Sequence, residues 1–294
     1  MNTPIDLSVV IPTYRSAAHI QPLLLRLLPV LGGIQAASEV IFVDDGSEPE
    51  TLFLLRRSIS AASGANALFS EAGSEAAPLQ PPVLRAVLLQ RNAGQQQATL
   101  CGICHAQGRT VVTMDDDLQH RPEDIPRLLA ALQSGAKLVY GVPVSSSVRP
   151  LRRAGSRARN LVFRMAFGRR AAGVRPTSFR VFHRSLIEGL CRDPRGFLYL
   201  SAEFFRAGAR PVQLTVDYAP SPAHPARYPL AKLLRVFAGL ALYIPLCPPF
   251  LRLLFGGAKW EVAERINFAG PLGNPEDQSI RAKGKGGWNR GGNQ

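Results

Sequence analysis

Thr110-Val111-Val112-Thr113-Met114-Asp115-Asp116-Asp117-Leu118-Gln119 runs from a β-branched, apolar segment directly into three acids and an amide. Val, Thr and Met in succession read as a short buried strand, spanning residues 110–114, that the acids terminate. Pro122 and two acids follow, opening a helical pattern over residues 122–133. Proline and carboxylates in a first turn are what a helix start prefers. The stretch is therefore a strand, an acidic turn and a helix. The same arrangement occurs upstream, where the apolar run 40–43 ends in Asp44-Asp45-Gly46-Ser47 and is followed by a helical segment over residues 49–60.

Working outward, residues 7–12, 83–89 and 138–142 are further apolar runs of strand length, and residues 17–31 and 94–107 have helical spacing. Strands that alternate with helices imply an α/β fold with a mostly parallel sheet flanked by helices. In open sheets of that kind ligands bind beyond the carboxyl ends of the strands, where both acid clusters fall. Further on, a strand is expected near residues 179–182, a helix near 198–207 and a strand near 212–216. Residues 60–82, rich in Ala, Ser, Gly and Pro, read as a flexible insertion. The expected domain spans residues 1–229. An amphipathic or interfacial segment, 230–255, follows it, and then a Gly-rich basic tail, 256–294, with the composition of a disordered segment.

Asp115 and Asp117 are two apart at a strand end and can both reach one hard divalent cation, to which Gln119 adds a neutral oxygen. Mg²⁺ or Mn²⁺ held this way neutralises charge on a diphosphate leaving group. The competing reading is an acidic turn that caps the next helix. Asp44 and Asp45 have the chemistry to accept hydrogen bonds from a nucleobase or ribose, and the competing reading is an Asp-Gly turn. No G-x-G-x-x-G follows the first strand and no G-x-x-x-x-G-K-[ST] occurs, which argues against a dinucleotide or P-loop site.

Together these residues form a resemblance. Val9-Val10-Ile11-Pro12-Thr13-Tyr14, Val43-Asp44-Asp45-Gly46-Ser47, Arg91-Asn92-Ala93-Gly94-Gln95 and Met114-Asp115-Asp116-Asp117-Leu118-Gln119 occur in the order seen in family 2 glycosyltransferases of GT-A fold. Within that family the chain looks like the polyprenyl-phosphate branch, which includes dolichol-phosphate mannose synthase and the undecaprenyl-phosphate sugar transferases. The resemblance is strong over residues 5–145 and thinner over 146–250. It implies that Pro12 and Tyr14 line the nucleotide pocket and that Asp44 and Asp45 contact base and ribose. Asp115 and Asp117 match the family's D-x-D and Gln119 its glutamine. Asp115, Asp117 and Gln119 would then hold the metal, with Asp115 also touching the nucleotide sugar. Asp117 and Arg180 would be catalytic, Arg180 beside the acceptor phosphate. The implied reaction is inverting transfer of a sugar from a nucleotide diphosphate to a polyprenyl phosphate, with Mg²⁺ or Mn²⁺.

The chain departs from that pattern in three places. Ser178 stands where many relatives carry an aspartate assigned as a base. Ala226-Arg227-Tyr228 keeps part of a juxtamembrane motif, and the sequence turns polar after Phe255, where relatives continue into spanning helices. The alternatives are a soluble family 2 transferase acting on a glycan or protein hydroxyl, and an inactive sugar-nucleotide-binding protein.

The formal charge is +14. Such an excess suggests a polyanionic partner. Residues 149–184 hold eleven arginines and no acid. Without interleaved aromatics or a known module, nucleic acid is not the expected partner. Arg149, Arg152 and Arg153, with Arg180, are the candidates for an acceptor phosphate at an anionic membrane surface, where a basic residue contributes ~1 kcal/mol. The charge-free run 236–251 would span roughly 24 Å as a helix, short of a ~30 Å hydrocarbon core. It also contains three prolines. An interfacial segment on the cytoplasmic face of the membrane, peripheral or monotopic, fits better than a span; otherwise the protein is cytoplasmic. Few cysteines and no signal-like N-terminus suit a reducing compartment. Cys101-Gly-Ile-Cys104-His105 reads as small buried residues on a helix. A homo-oligomer or a membrane-protein partner is left open.

Overall fold

A computed structural model describes residues 4–71, 81–144, 165–171, 173–194, 199–219 and 260–268. Eight strands form one sheet in the order β7-β5-β6-β4-β1-β2-β3-β8. In chain order they are β1 (Leu7–Thr13), β2 (Ser38–Asp44), β3 (Val83–Leu89), β4 (Thr110–Thr113), β5 (Leu138–Pro143), β6 (Arg180–His183), β7 (Val212–Val216) and β8 (Val262–Phe268). β1 pairs in parallel with both β2 and β4, β2 with β3, and β5 with β7. β6 runs antiparallel to β4 and β5, and β8 antiparallel to β3.

Side chains on successive residues of a strand face opposite ways, so each strand feeds two cores. Val10, Ile41, Val43 and Val87 face one core, with Leu100 and Ile103 of α3 (Gln95–His105) and Phe204 of α5 (Leu200–Arg206). Val9, Ile11, Val40 and Phe42 face the other, with Leu23, Leu24 and Leu27 of α1 (Ala17–Gly32) and Leu128 of α4 (Ile125–Gln133). β1 and β2 are buried on both faces. This is why their sequences read as near-continuous apolar runs. Gly102 lets α3 approach the sheet: a Cβ there would stand 2.4 Å from Val10 Cγ1.

The registers Thr13↔Asp44 and Val10↔Thr113 align the carboxyl ends of β1, β2 and β4. The chain leaves β1 toward β2 and returns on its other side at β4. That reversal opens a crevice at the strand ends, and both acid clusters stand there.

Two expectations need correction. α2 (Pro49–Glu71) continues well past residue 60, so the first half of the expected insertion is helical. Ala61, Ala62, Ala65 and Ala67 supply the helix propensity that a reading by Ser and Gly content overlooks. Residues 72–80 lie outside the described residues. The tail, expected to be disordered from residue 256, contributes β8, which covers the edge of β3. Ile266 is buried, Arg56 ion-pairs with Glu264, and Gln90 N donates to Glu261 O at 2.9 Å. Backbone pairing carries this strand, and composition does not report it. The apolar segment 230–255 and residues 269–294 lie outside the described residues.

Cys101 and Cys104 lie on α3 as expected of core residues. Cys101 is buried on α3, which pushes its thiol up to about 12, and Cys104 lies against Cys191.

Candidate active site

β2 delivers Asp44 and Asp45 to the crevice, and both carboxylates are engaged by the protein. Asp44 accepts from Ser47 N at 2.8 Å and Ser47 Oγ at 2.5 Å, closing an Asx-type turn. Asp45 accepts from Ala93 N at 2.7 Å and Gly94 N at 2.9 Å, just ahead of α3. Burial raises the pKa of both, opposed by these hydrogen bonds. Gly46 has φ +73°, and a Cβ on it would lie 2.5 Å from the backbone at Arg91 and Asn92. The Asp-Asp-Gly-Ser turn and the Arg-Asn-Ala-Gly-Gln loop are thus docked together, and only glycine permits the fit. Pro12 is buried within β1, whereas Tyr14 is 42% exposed, with the Arg15 guanidinium 5.1 Å from its ring centre.

β4 ends at Thr113, and the acidic turn follows. Asp115 Oδ1 accepts from Gln95 Nε2 and Oδ2 from Ser178 Oγ, each at 2.6 Å. Asp116 turns toward the start of α1, where it accepts from Ser16 Oγ. Burial pushes its carboxyl up to about 7, with the neighbouring Asp115 and Asp117 adding to the shift. Asp117 accepts from Gln119 N at 3.1 Å and from the Gln119 side-chain amide. Leu118 between them is left-handed, at φ +62°. A bulky residue held there is strained, and such strain concentrates at functional turns.

Beside Asp115 is a cavity of about 190 Å³ whose lining includes Gln95, Asp115, Ser178, Arg180, Tyr199 and Ser201. Arg180 is only 2% exposed. Its Nε donates to Thr113 Oγ1 at 3.0 Å, one terminal nitrogen donates to Ser201 Oγ at 3.2 Å, and the guanidinium lies 5.6 Å from the Phe204 ring centre. Among the described residues no carboxylate lies within ion-pair distance of it. A buried guanidinium held only by neutral groups is costly, and it is the group an incoming anion relieves.

A model of glycosyl transferase family 2 matches residues 8–191. The chain belongs to glycosyl transferase family 2. It is 28% identical over 261 residues to an undecaprenyl-phosphate 4-deoxy-4-formamido-L-arabinose transferase of Yersinia pestis (strain Pestoides F), covering 88% of this chain and 73% of that one. It is 30% identical to the enzyme of that name from Pseudomonas aeruginosa (strain LESB58), over 86% of this chain and 70% of that one. Two crystal structures of glucosyl-3-phosphoglycerate synthase from Mycobacterium tuberculosis share the fold. One contains Mn²⁺, UDP and glucosyl-3-phosphoglycerate, with TM-score 0.55, 20% identity and 82% and 80% coverage of this chain and that one. The other contains Mn²⁺, UDP-glucose and phosphoglyceric acid, with TM-score 0.57, 16% identity and 92% and 88% coverage. The mostly parallel GT-A sheet and the glycosyltransferase activity expected from the resemblance are therefore correct.

In this glycosyltransferase, the expected site residues Asp115 and Arg180 line one cavity together with Ser178, and the expected Asp117 and Gln119 lie in the turn that follows Asp115. Arg149, Arg152 and Arg153 lie outside the described residues. Among the described residues no group of three or more His, Cys, Asp or Glu side chains forms a metal cage. The donor set still suits a hard cation that takes most of its ligands from a diphosphate and water. Asp117 and Gln119 converge in one short turn, and rotating the Gln119 amide by half a turn presents its oxygen. The sequence reading missed His120, Tyr199 and Ser201, and left Gln95 without a role. Gln95 alone carried a signal, as the first residue of α3 in the Arg-Asn-Ala-Gly-Gln motif. His120 sits directly after the motif, but nothing in the sequence shows that its ring turns back inside.

Proposed function

We propose that this enzyme transfers one sugar from a nucleotide-diphosphate donor to a polyprenyl phosphate, with inversion. The observation that carries the acceptor assignment is Arg180, a buried cation without a carboxylate partner among the described residues, beside a pocket lined by Ser178, where the family resemblance implies a base in many relatives. A phosphate monoester suits such a pocket because it arrives ionised, its second pKa being about 6. One of its oxygens attacks the anomeric carbon, the bond from that carbon to the donor diphosphate breaks, and the nucleoside diphosphate departs. No proton needs to be removed. Arg180 neutralises and orients the acceptor phosphate, and Arg149, Arg152 and Arg153 extend the positive field toward it. Asp115, steadied by Gln95 and Ser178, orients the donor sugar. Tyr14 borders the base, with the Asp44 and Asp45 turns shaping that side of the site. Asp115, Asp117 and Gln119 would hold Mg²⁺ or Mn²⁺, whose charge compensates the leaving diphosphate. The names of the Yersinia and Pseudomonas relatives support the lipid acceptor, and the Mn²⁺ complexes of the fold neighbours support the cation. The segment 230–255 would rest on an anionic membrane surface.

The test is transfer of radiolabel from UDP-, GDP- and dTDP-sugars to polyprenyl phosphate, with Mn²⁺ or with EDTA, followed into the organic phase. Organic-soluble label that EDTA abolishes is the expected result, and Asp117→Ala is expected to lose it while keeping its melting temperature. Label transferred only to glycan or protein hydroxyls would replace the lipid reading. Full turnover by Asp117→Ala would remove the site assignment.

A further inference from the structure

We infer that His120 is a positioning residue: its ring clamps the acidic turn from inside and so sets where Asp117 and Gln119 stand. The inference rests on the reading of that turn as the cation site. Met114 N donates to Val10 O at 3.2 Å, the last bond of the β4 ladder toward β1. The next amide, Asp115 N, donates to His120 Nδ1 at 2.9 Å. The turn is thus closed across its base by the side chain of the residue that ends it. A buried amide deprived of that acceptor would be left unsatisfied.

The clamp is rigid. His120 is 3% exposed. Its ring stacks on Phe179 at 5.1 Å between centres and meets Tyr218 edge-on at 4.9 Å. Tyr218 is anchored in turn, its hydroxyl donating to Gly141 O at 3.3 Å. With Nδ1 accepting, the ring proton is on Nε2, which lies 3.8 Å from Asp115 Oδ2. The residue after Tyr218 completes the hold: Ala219 N donates to Gln119 O at 3.0 Å. Between these two ties the chain passes through the left-handed Leu118, a conformation that leucine does not keep unaided. A histidine serving only as aromatic filler would need its ring and not its acceptor nitrogen, and this difference can be measured.

Full-length His120→Leu keeps apolar bulk and loses the acceptor, whereas His120→Asn carries an oxygen near the Nδ1 position. Three readouts are taken: hydrogen exchange of the Asp115 amide, the Mn²⁺ dependence of UDP and GDP binding by calorimetry, and the Mn²⁺ concentration for half-maximal transfer. His120→Leu is expected to lose protection at Asp115 and to weaken both Mn²⁺ responses by about ten-fold or more. His120→Asn is expected to recover most of that loss. Wild-type Mn²⁺ responses in His120→Leu, or equal losses in two folded variants, would overturn the clamp. Binding and transfer by the wild type that ignore Mn²⁺ would instead bring down the cation reading, and this inference with it.

Discussion

Arg180 carries its charge into a site where it meets hydroxyls, the Phe204 ring and no acid among the described residues. Such a charge burdens the fold, and the anion it awaits would be its compensation. Arg180→Met is therefore expected to hold or raise the melting temperature while lowering transfer by roughly 100-fold or more. Thermal melts alongside acceptor kinetics check this, and unfolding of the variant together with its lost activity would make Arg180 structural. Ser178 gives the complementary test. A general base contributes roughly 10²–10⁴-fold. Since the proposed nucleophile is already ionised, Ser178→Ala should keep transfer to a phosphate acceptor within about ten-fold of wild type. A loss beyond 100-fold at saturating substrate, on the scale of that general-base contribution, would assign Ser178 a proton-handling role. At this scale the site was partly legible. Asp115, Asp117 and Gln119 announce themselves by spacing, whereas Ser201 and Tyr199 reach the pocket only because α5 packs beneath β6.

At the scale of elements, the sheet depends on an edge strand that composition conceals. β8 pairs with β3 from Leu84↔Phe268 to Leu89↔Val262, with one irregularity at Leu88/Leu89. An uncovered β3 would present an open edge to other chains. Ile266→Asp buries a charge at a core position of β8, and it is expected to destabilise the protein by about 2 kcal/mol or more and to promote aggregation. Urea denaturation and light scattering measure both, and an unchanged transition midpoint would make β8 dispensable. The parallel strands were legible because burial on both faces makes them continuous apolar runs. β8 was not, because Glu264 and Arg265 interrupt its apolar residues in the sequence and mimic a solvated tail, whereas in the structure Glu264 is half-buried and paired with Arg56.

At the scale of the molecule, the apolar segment is bracketed by the sheet. β7 and β8 stand at opposite edges of the same hydrogen-bonded sheet, and residues 230–255 lie between them in sequence. Among the described residues no helix is long and apolar enough to cross a membrane. With a formal charge of +14, the full chain is expected to sediment with vesicles containing phosphatidylglycerol at low salt and much less with phosphatidylcholine alone. Binding should weaken as the screening length falls from about 10 Å at 0.1 M salt to about 3 Å at 1 M. Binding to neither vesicle would remove the membrane surface from the proposal.

The sequence by itself determined the α/β class, the parallel strands, the two acid clusters at strand ends and the family. Each of these is local: periodicity, propensity and short spacings are properties of contiguous residues. Only the tertiary structure decided that Asp45 holds the loop before α3, that Ser178 meets Asp115 across 63 positions of sequence, and that His120 folds back under its own motif. It also decided that Arg180 is buried without an acid among the described residues. These are long-range matters of which surfaces meet, and they follow from the packing of β6, α3 and α5 around the crevice beside β1.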